Sequence, residues 1–273
     1  MTPFPTPVLV AAAAVLATAA PVAAIQGTAA AAQDTSAVAA TGQATASPVP
    51  FGVGERLEYD VKFGSIKAGE GVMEVRGIET IRGRPAYHTY FQVKGGIPFF
   101  RVNDIFQSWI DTATLSSLRF VQDQDEGPKE RQRRYEIYPD QQIYREYVKG
   151  EGADQPSVAN PLDDGSFLYF LRTIPLEVGR TYTFDRYFRP DRNPVTIKVV
   201  RRERIKVPAG TFDAVVLQPQ IKTKGLFGED GHAEVWLSDD ENRIMLQMKS
   251  DLKIGSLNLY LTKYRPANGS ETR

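Results

Sequence analysis

Hydrophobic and polar residues alternate along most of the chain beyond residue 53. In "GERLEYDVKFGSI" (54–66), Leu57, Tyr59, Val61 and Phe63 alternate with Glu58, Asp60 and Lys62. A period of two puts one set on a single strand face, whereas helical steps would scatter it around the axis. "KAGEGVMEVRGIE" (67–79) resumes with Val72, Met73 and Val75, and Gly69 and Gly71 permit tight or bulged backbone there. "RPAYHTYFQVKG" (84–95) sets Tyr87, Thr89, Phe91 and Val93 against His88, Tyr90, Gln92 and Lys94. The style continues in "DIFQSWID" (104–111), "SLRFVQDQ" (117–124), "RQRRYEIYP" (131–139) and "QIYREYVKG" (142–150). It returns in "GRTYTFDRYF" (179–188), "PVTIKVVRRERIKV" (194–207), "TFDAVVLQPQIK" (211–222), "HAEVWLS" (232–238), "RIMLQMKS" (243–250) and "GSLNLYLTKY" (255–264). Short polar, Pro or Gly segments separate these runs, and Pro139-Asp140 fits a tight reversal. Roughly eleven to thirteen antiparallel strands are predicted.

One segment breaks the pattern. In "NPLDDGSFLYFLRTIPLEVG" (160–179), Phe167, Leu168, Phe170, Leu171 and Ile174 recur at steps of three and four. That spacing predicts a helix of about ten residues with one apolar stripe. Asp163 or Asp164 caps its start and Pro175 stops it. The acidic start reads as a cap before it reads as a ligand site. Two short echoes, "VGERLEYD" (53–60) with "VGRTYTFD" (178–185) and "IKAG" (66–69) with "VPAG" (207–210), fit one sheet made of two meanders flanking the helix. The predicted fold is all-β and mainly antiparallel: a large curved sheet or incomplete β-barrel with one short helix. Gly69, Gly71 and Gly210 are its expected bend points.

The first fifty residues differ in kind. They hold one charge, Asp34. "PVLVAAAAVLATAAPVAA" (7–24) reads as a signal-peptide core ending at Ala24, although no Lys or Arg precedes it. A retained membrane anchor and an Ala-rich helix are the competing readings. The tract over 25–50, rich in Ala, Ser, Thr, Gln, Gly and Pro, cannot bury a core and reads as a disordered linker. The expected organisation is a signal peptide over 1–24, that linker, a single β-rich domain over 51–266 and a flexible tail over 267–273. Export to the periplasm or cell envelope follows from the signal reading, with no transmembrane span in the mature chain if the signal is cleaved.

Composition then narrows the chemistry. Among 273 residues there is no cysteine, which removes disulfides, thiolate zinc, a cysteine nucleophile and a lipidated N-terminal cysteine. Lys plus Arg and Asp plus Glu both number 33, which provides no field for nucleic acid. The basic runs "RQRR" (131–134) and "RRERIK" (201–206) spread over both strand faces and read as solvated charge, with an acidic lipid headgroup or a cell-wall polymer as the lesser reading.

Few side chains suggest a site. Asp239, Asp240, Glu241 and Asn242 lie between two apolar strands, and four consecutive residues cannot all point at one ion, so a solvated turn is expected. His232 and Glu234 share a strand face and could act as base and orienter, but no "GxSxG" elbow supplies a nucleophile. His88 reads as a hydrogen-bonded sheet histidine. Ile97, Pro98, Phe99 and Phe100 follow two glycines, and Leu226-Phe227 stands between glycines. Bare aromatics in loops plug a core or line the mouth of an apolar cavity.

Taken in order, "GERLEYDVKFGSIKAGEG", "FFRVNDIFQSWID", "DDGSFLYFLRTIPLEVGRTYTF", "VPAGTFDAVVLQP" and "GHAEVWLSDDENRIMLQMKSDLKIGSLNLYL" resemble the DUF3108 family, exported bacterial proteins of unknown function. The resemblance covers nearly all of the mature chain. It implies a signal peptide, an envelope setting and a curved all-β sheet similar to the open barrels of outer-membrane lipoprotein carriers. The family has no assigned catalytic residues, so none is carried over, and no cofactor or metal is expected. The sequence is read as a non-enzymatic envelope protein holding a lipid-like or apolar molecule, with Phe99, Phe100, Leu226, Phe227 and Trp236 as contacts. An assembly factor that binds another envelope protein by a sheet edge, and a hydrolase using His232 and Glu234, are the alternatives.

Overall fold

The computed structural model describes residues 49–97, 100–126, 129–147, 150, 152–222, 233–251 and 256–267. The first meander comprises β1 (Arg56–Phe63), β2 (Ile66–Ile81), β3 (Arg84–Ile97), β4 (Phe100–Asp111), β5 (Ser117–Glu126), β6 (Lys129–Tyr138), β7 (Ile143–Tyr147) and β8 (Gln155–Pro156). The second comprises β9 (Thr181–Phe184), β10 (Val195–Val207), β11 (Gly210–Gln220), β12 (Ala233–Ser238), β13 (Met245–Asp251) and β14 (Ser256–Arg265). They form one antiparallel sheet of 14 strands, ordered β8-β7-β6-β5-β4-β3-β2-β1-β14-β13-β12-β11-β10-β9. The two predicted meanders are therefore real, and the pairing of β1 with β14 joins them. The alternation did not predict β8, an edge strand of 2 residues.

No ladder joins β8 to β9, so the sheet is not closed into a barrel. The chain beyond the two edges nevertheless meets. Leu162 N–H donates to the Arg186 carbonyl (2.5 Å), and Phe188 N–H donates to the Leu162 carbonyl (2.9 Å). Ser157 Oγ donates to the Phe188 carbonyl (2.8 Å).

The period of two explains the inner face. Leu57, Tyr59 and Val61 are buried there with Met73, Val75, Phe91, Val93, Leu259 and Leu261. Gly69 pairs with Gly95 on this face. A Cβ on Gly69 would stand 2.2 Å from the Lys94 carbonyl oxygen, and one on Gly95 would stand 2.1 Å from that of Ala68. Only glycine lets β2 and β3 approach so closely beside the β1/β2 bulge. Gly71 sits at ordinary contact distances, and Gly210 (φ +144°) serves the β10–β11 turn, so neither is a comparable bend point. A smaller apolar cluster of Ile81, Ala86, Trp109 and Leu118 is separate from this core. His88 stacks on Trp109 (4.5 Å) and bonds Glu79 Oε1 (2.8 Å) and Gln107 Oε1 (3.0 Å), as a sheet histidine should.

The helix α1 (Asp164–Phe170) has 7 residues and is buried all round rather than along one stripe. Asp163 is the cap, in a reciprocal capping box with Ser166. The helix ends before Pro175 because Arg172 and Thr173 bond the carbonyls of Tyr169 and Phe170, a tighter three-residue closure, while the Arg172 side chain turns inward to Glu55.

The antiparallel order gives the sheet two unlike ends. At the first, the turns β2–β3, β4–β5, β6–β7, β10–β11 and β12–β13 reverse the chain, and α1 and its flanks bond to residues there. At the second, β1–β2, β3–β4, β5–β6, β11–β12 and β13–β14 reverse. Among the described residues no helix is long and apolar enough to cross a membrane, which says nothing of strands.

Candidate functional site

Buried polar chemistry concentrates at the first end. Asp163 is fully buried. Its Oδ1 accepts from Ser108 Oγ (2.5 Å), Gly165 N–H (2.8 Å) and Ser166 N–H (2.9 Å), and its Oδ2 accepts from Ser117 Oγ. Burial pushes the carboxyl up to about 6 in spite of these donors. Tyr187 Oη donates to Asp164 (2.8 Å). Arg172, 1 % exposed, donates to both Glu55 oxygens (2.7 and 2.8 Å), to the Pro50 carbonyl and to the Asn242 carbonyl (2.8 Å). Burial opposes its charge, but the Glu55 carboxylate holds its pKa above the ordinary value. The Glu55 and Asp163 carboxylates are held by these donors, so the cluster serves the fold, although Arg172 Nε and Tyr169 Oη are buried without a hydrogen-bond partner among the described residues.

The inner face changes character toward the second end. Register sets three rows across neighbouring strands. The first is Thr89, Ser108, Phe120, Tyr135 and Glu146. The second is Phe91, Phe106, Gln122 and Arg133, and the third is Val93, Asp104, Gln124 and Arg131. Aromatic rings step diagonally through them: Phe91 to Phe106 (6.0 Å), Phe106 to Phe120 (6.3 Å), Phe120 to Tyr135 (5.8 Å) and Tyr135 to Tyr144 (6.2 Å). Phe188 packs on Tyr135 (5.2 Å) and Tyr144 (5.1 Å). Phe91, Phe120, Tyr135 and Tyr144 are buried, while Phe106 is half-buried and marks where the floor emerges.

Beyond Phe106 the same face carries Asp104, Gln122, Gln124, Arg131, Arg133 and Glu146, all half-buried. Tyr135 Oη donates to Glu146 Oε1 (3.1 Å), and Arg133 stands 3.6 Å from the same oxygen. Burial first, then the Glu146 charge, pushes the Tyr135 phenol up to about 12, so it remains a neutral donor. The result is an aromatic floor running out into a rim that holds donors and acceptors of both charges.

The predicted site residues fare differently. Phe99, Leu226, Phe227 and His232 lie outside the described residues, and only the backbone of Phe100, the first residue of β4, is described. The strands flanking those loops, β3 with β4 and β11 with β12, reverse at the second end, where the rim lies. Trp236 does not join them. Register groups it with Val216, Gln247 and Tyr260, on the face opposite Tyr59 and Val61. Its Nε1–H donates to Glu203 (2.6 Å), and Arg201 and Lys249 stand over its ring at 5.8 and 5.3 Å. Glu234 is held by Arg201 (2.9 and 3.3 Å) and Gln218 (3.2 Å).

The 239–242 segment is a turn. Asp240 Oδ1 accepts from Ser238 Oγ (2.7 Å) and from the N–H groups of Asn242 and Arg243 (both 3.0 Å). It does more than meet water, because the Asn242 carbonyl takes Arg172 and the Arg243 side chain donates to the Arg172 and Ile174 carbonyls. Among the described residues no group of three or more His, Asp or Glu is placed to hold a metal.

Both basic runs are threaded with carboxylates. Arg134 bonds Glu136, Arg201 bonds Glu203, and Arg202 bonds Asp239. Arg131 and Arg133 depart from the solvated reading, since register carries them onto the inner face. Following the period from Phe120 through Gln122 and Gln124 would have found this rim. The opposite face of β5 to β7 has a groove of ≈ 380 Å³ lined by Val121, Gln132, Arg134, Tyr147 and Gly150, with Arg134 committed to Glu136.

One solved structure shares the fold. A crystal structure of a beta-barrel-like protein of the DUF1849 domain of unknown function from Brucella abortus superimposes with TM-score 0.50 at 12% identity, covering 78% of this chain and 98% of that one. A candidate lipoprotein from Parabacteroides distasonis gives TM-score 0.30 at 11% identity over 80% of this chain and 98% of its own. No curated protein matches the chain. Residues 58–262 match the family described as "Protein of unknown function (DUF3108)", and the chain belongs to that family.

Proposed function

We propose that this is an exported protein of the periplasm or cell envelope that seats a lipid-like, amphiphilic molecule on the inner face of its sheet. The leader composition over 1–24 supports the compartment, with 25–50 as linker, 51–266 as the folded domain and 267–273 as tail. One observation carries the binding reading. The aromatic floor does not end inside the core; it surfaces at half-buried Phe106, beside six half-buried polar side chains on the same face. An interior serving stability alone would continue with apolar residues at Asp104, Gln122 and Gln124. A floor of rings with a polar rim suits an apolar body ending in a polar head. Phe99, Phe100, Leu226 and Phe227 remain in the proposed contact set. The Trp236 ring, capped by Arg201 and Lys249 on the other face, drops from the contact set.

Native mass spectrometry of the chain purified from its own compartment tests the proposal. A co-purifying amphiphile is expected, and Phe106→Arg should abolish it while leaving the circular dichroism spectrum unchanged. An unliganded protein that also fails to take up a dodecyl amphiphile would sink it.

A further inference from the structure

The groove on the outer face of β5 to β7 has a chemistry of its own, which does not depend on the amphiphile reading. We infer that it binds the phosphate group of a small organic ester or of a lipid head. Register places Arg119, Glu136 and Arg145 in one cross-strand row, Val121, Arg134 and Tyr147 in the next, and Asp123 with Gln132 in the third. The groove, ≈ 380 Å³, runs along the Arg134 row, with Gln132 and Gly150 beside it.

Charge in these rows is unequal. Glu136 is buried. Its Oε1 accepts from Arg119 Nε (2.6 Å) and from Arg134 Nε and Nη2 (3.0 and 2.5 Å), and its Oε2 accepts from Arg82 Nη1. Arg82 Nη2 is taken by the Leu118 and Ile137 carbonyls (2.8 and 2.6 Å), and Arg145 is neutralised by Asp154. Three guanidiniums therefore share one carboxylate, and with Asp123 included three positive charges still meet two negative ones. Among the described residues, Arg134 Nη1 and both terminal nitrogens of Arg119 donate to nothing. The Arg134 side chain is 50 % exposed, so its remaining donor opens on the groove rather than on the protein.

A phosphate offers several oxygens to such donors and offsets the surplus charge. A cation would add to that surplus, and a neutral group would leave it in place. The groove is larger than a bare phosphate, so the body of the ester lies against Val121 and the Tyr147 ring, over which Arg134 stands at 5.9 Å. The Gln132 amide can donate to or accept from the hydroxyls of that body. Asp123, across from Gln132, repels the anion toward Arg134.

Glycerol 3-phosphate is titrated calorimetrically into the full chain, and the same chain is sedimented with phosphatidylglycerol or phosphatidylcholine vesicles. The chain carries 33 groups of each sign, so general attraction to anions is small. Binding of glycerol 3-phosphate supports a soluble ester as the source, and sedimentation with phosphatidylglycerol alone supports a lipid head. Either should weaken about tenfold or more in Arg134→Gln, which leaves Arg82 and Arg119 on Glu136 and hence the thermal midpoint nearly unchanged. Arg133→Gln, one residue away on the inner face, should change nothing. Asp123→Asn should tighten binding about threefold, an opposite sign that loss of fold cannot mimic. Failure of both probes to bind overturns the inference. So does binding that ignores Asp123→Asn, or that falls as far in Arg133→Gln as in Arg134→Gln.

Discussion

The two ends of the inner face use polar residues in opposite ways. At the first end, Arg172, Glu55, Asp163, Ser108 and Ser117 are buried and bonded to one another at close range. At the second, Arg131, Arg133, Asp104, Gln122 and Gln124 are half-buried, and the Arg133–Glu146 contact is 3.6 Å long. Strands β4 and β5 supply residues to both. Buried polar groups are tolerated only when paired inside the fold or when something else completes them. The first end meets that condition for the Glu55 and Asp163 carboxylates, whereas the polar groups of the second end stay half-buried.

Substitutions can test how different the ends are. The largest effect is expected from Arg172→Met, which strands the buried Glu55 carboxylate and should cost about 3–5 kcal/mol in urea denaturation. Adding Glu55→Gln should restore part of it, and a single-variant loss below about 1 kcal/mol would mean that this pair does not key the closed end.

Next in size is a pH effect from Asp163. Its folded-state value, about 6, lies above the ordinary aspartate value of 3.8, so the neutral form favours folding. This contribution is complete below about pH 4, is lost as pH rises through 6, and amounts to about 3 kcal/mol. Glu136 acts in the other sense. Burial alone would raise its carboxyl, but Arg134, Arg119 and Arg82 hold it below its ordinary range, so stability is lost as pH falls through its folded value. Asp163→Asn should therefore steepen acid destabilisation between about pH 6 and 4, measured as the urea midpoint against pH. An unchanged slope would show that Asp163 does not titrate in the folded protein.

Smaller again is Trp236→Phe, which forfeits the bond to Glu203 and should cost about 1 kcal/mol without altering ligand uptake. Least of all is Arg131→Gln, within about 0.5 kcal/mol of wild type in stability. Its effect belongs to binding, and a large stability loss would make the second end as structural as the first.

Much of this was readable in the sequence where the physics is local. The period through Leu57, Tyr59 and Val61 fixes a strand and its buried side, and Asp163 before an apolar run announces a cap. The helix came out shorter because its end depends on Arg172 reaching Glu55, a partner 117 positions away that no local pattern reveals. The rim was not legible, because arginine and glutamine on a strand suggest water. Their side of the sheet follows from register with Phe106 and Tyr135, a long-range fact. Trp236 misled for the same reason: an aromatic ring signals burial but not which face, and here cations cover it.

The bond between β1 and β14 has a consequence for biogenesis. The centre of the sheet is completed by residues 56–63 and 256–265, nearly the two extremities of the folded chain. A nascent polypeptide still lacking its last segment can fold each meander only as an open-edged half, because the strand that unites them has yet to be made. Late closure of this kind slows folding and keeps the partial chain open-edged until its last strand is made.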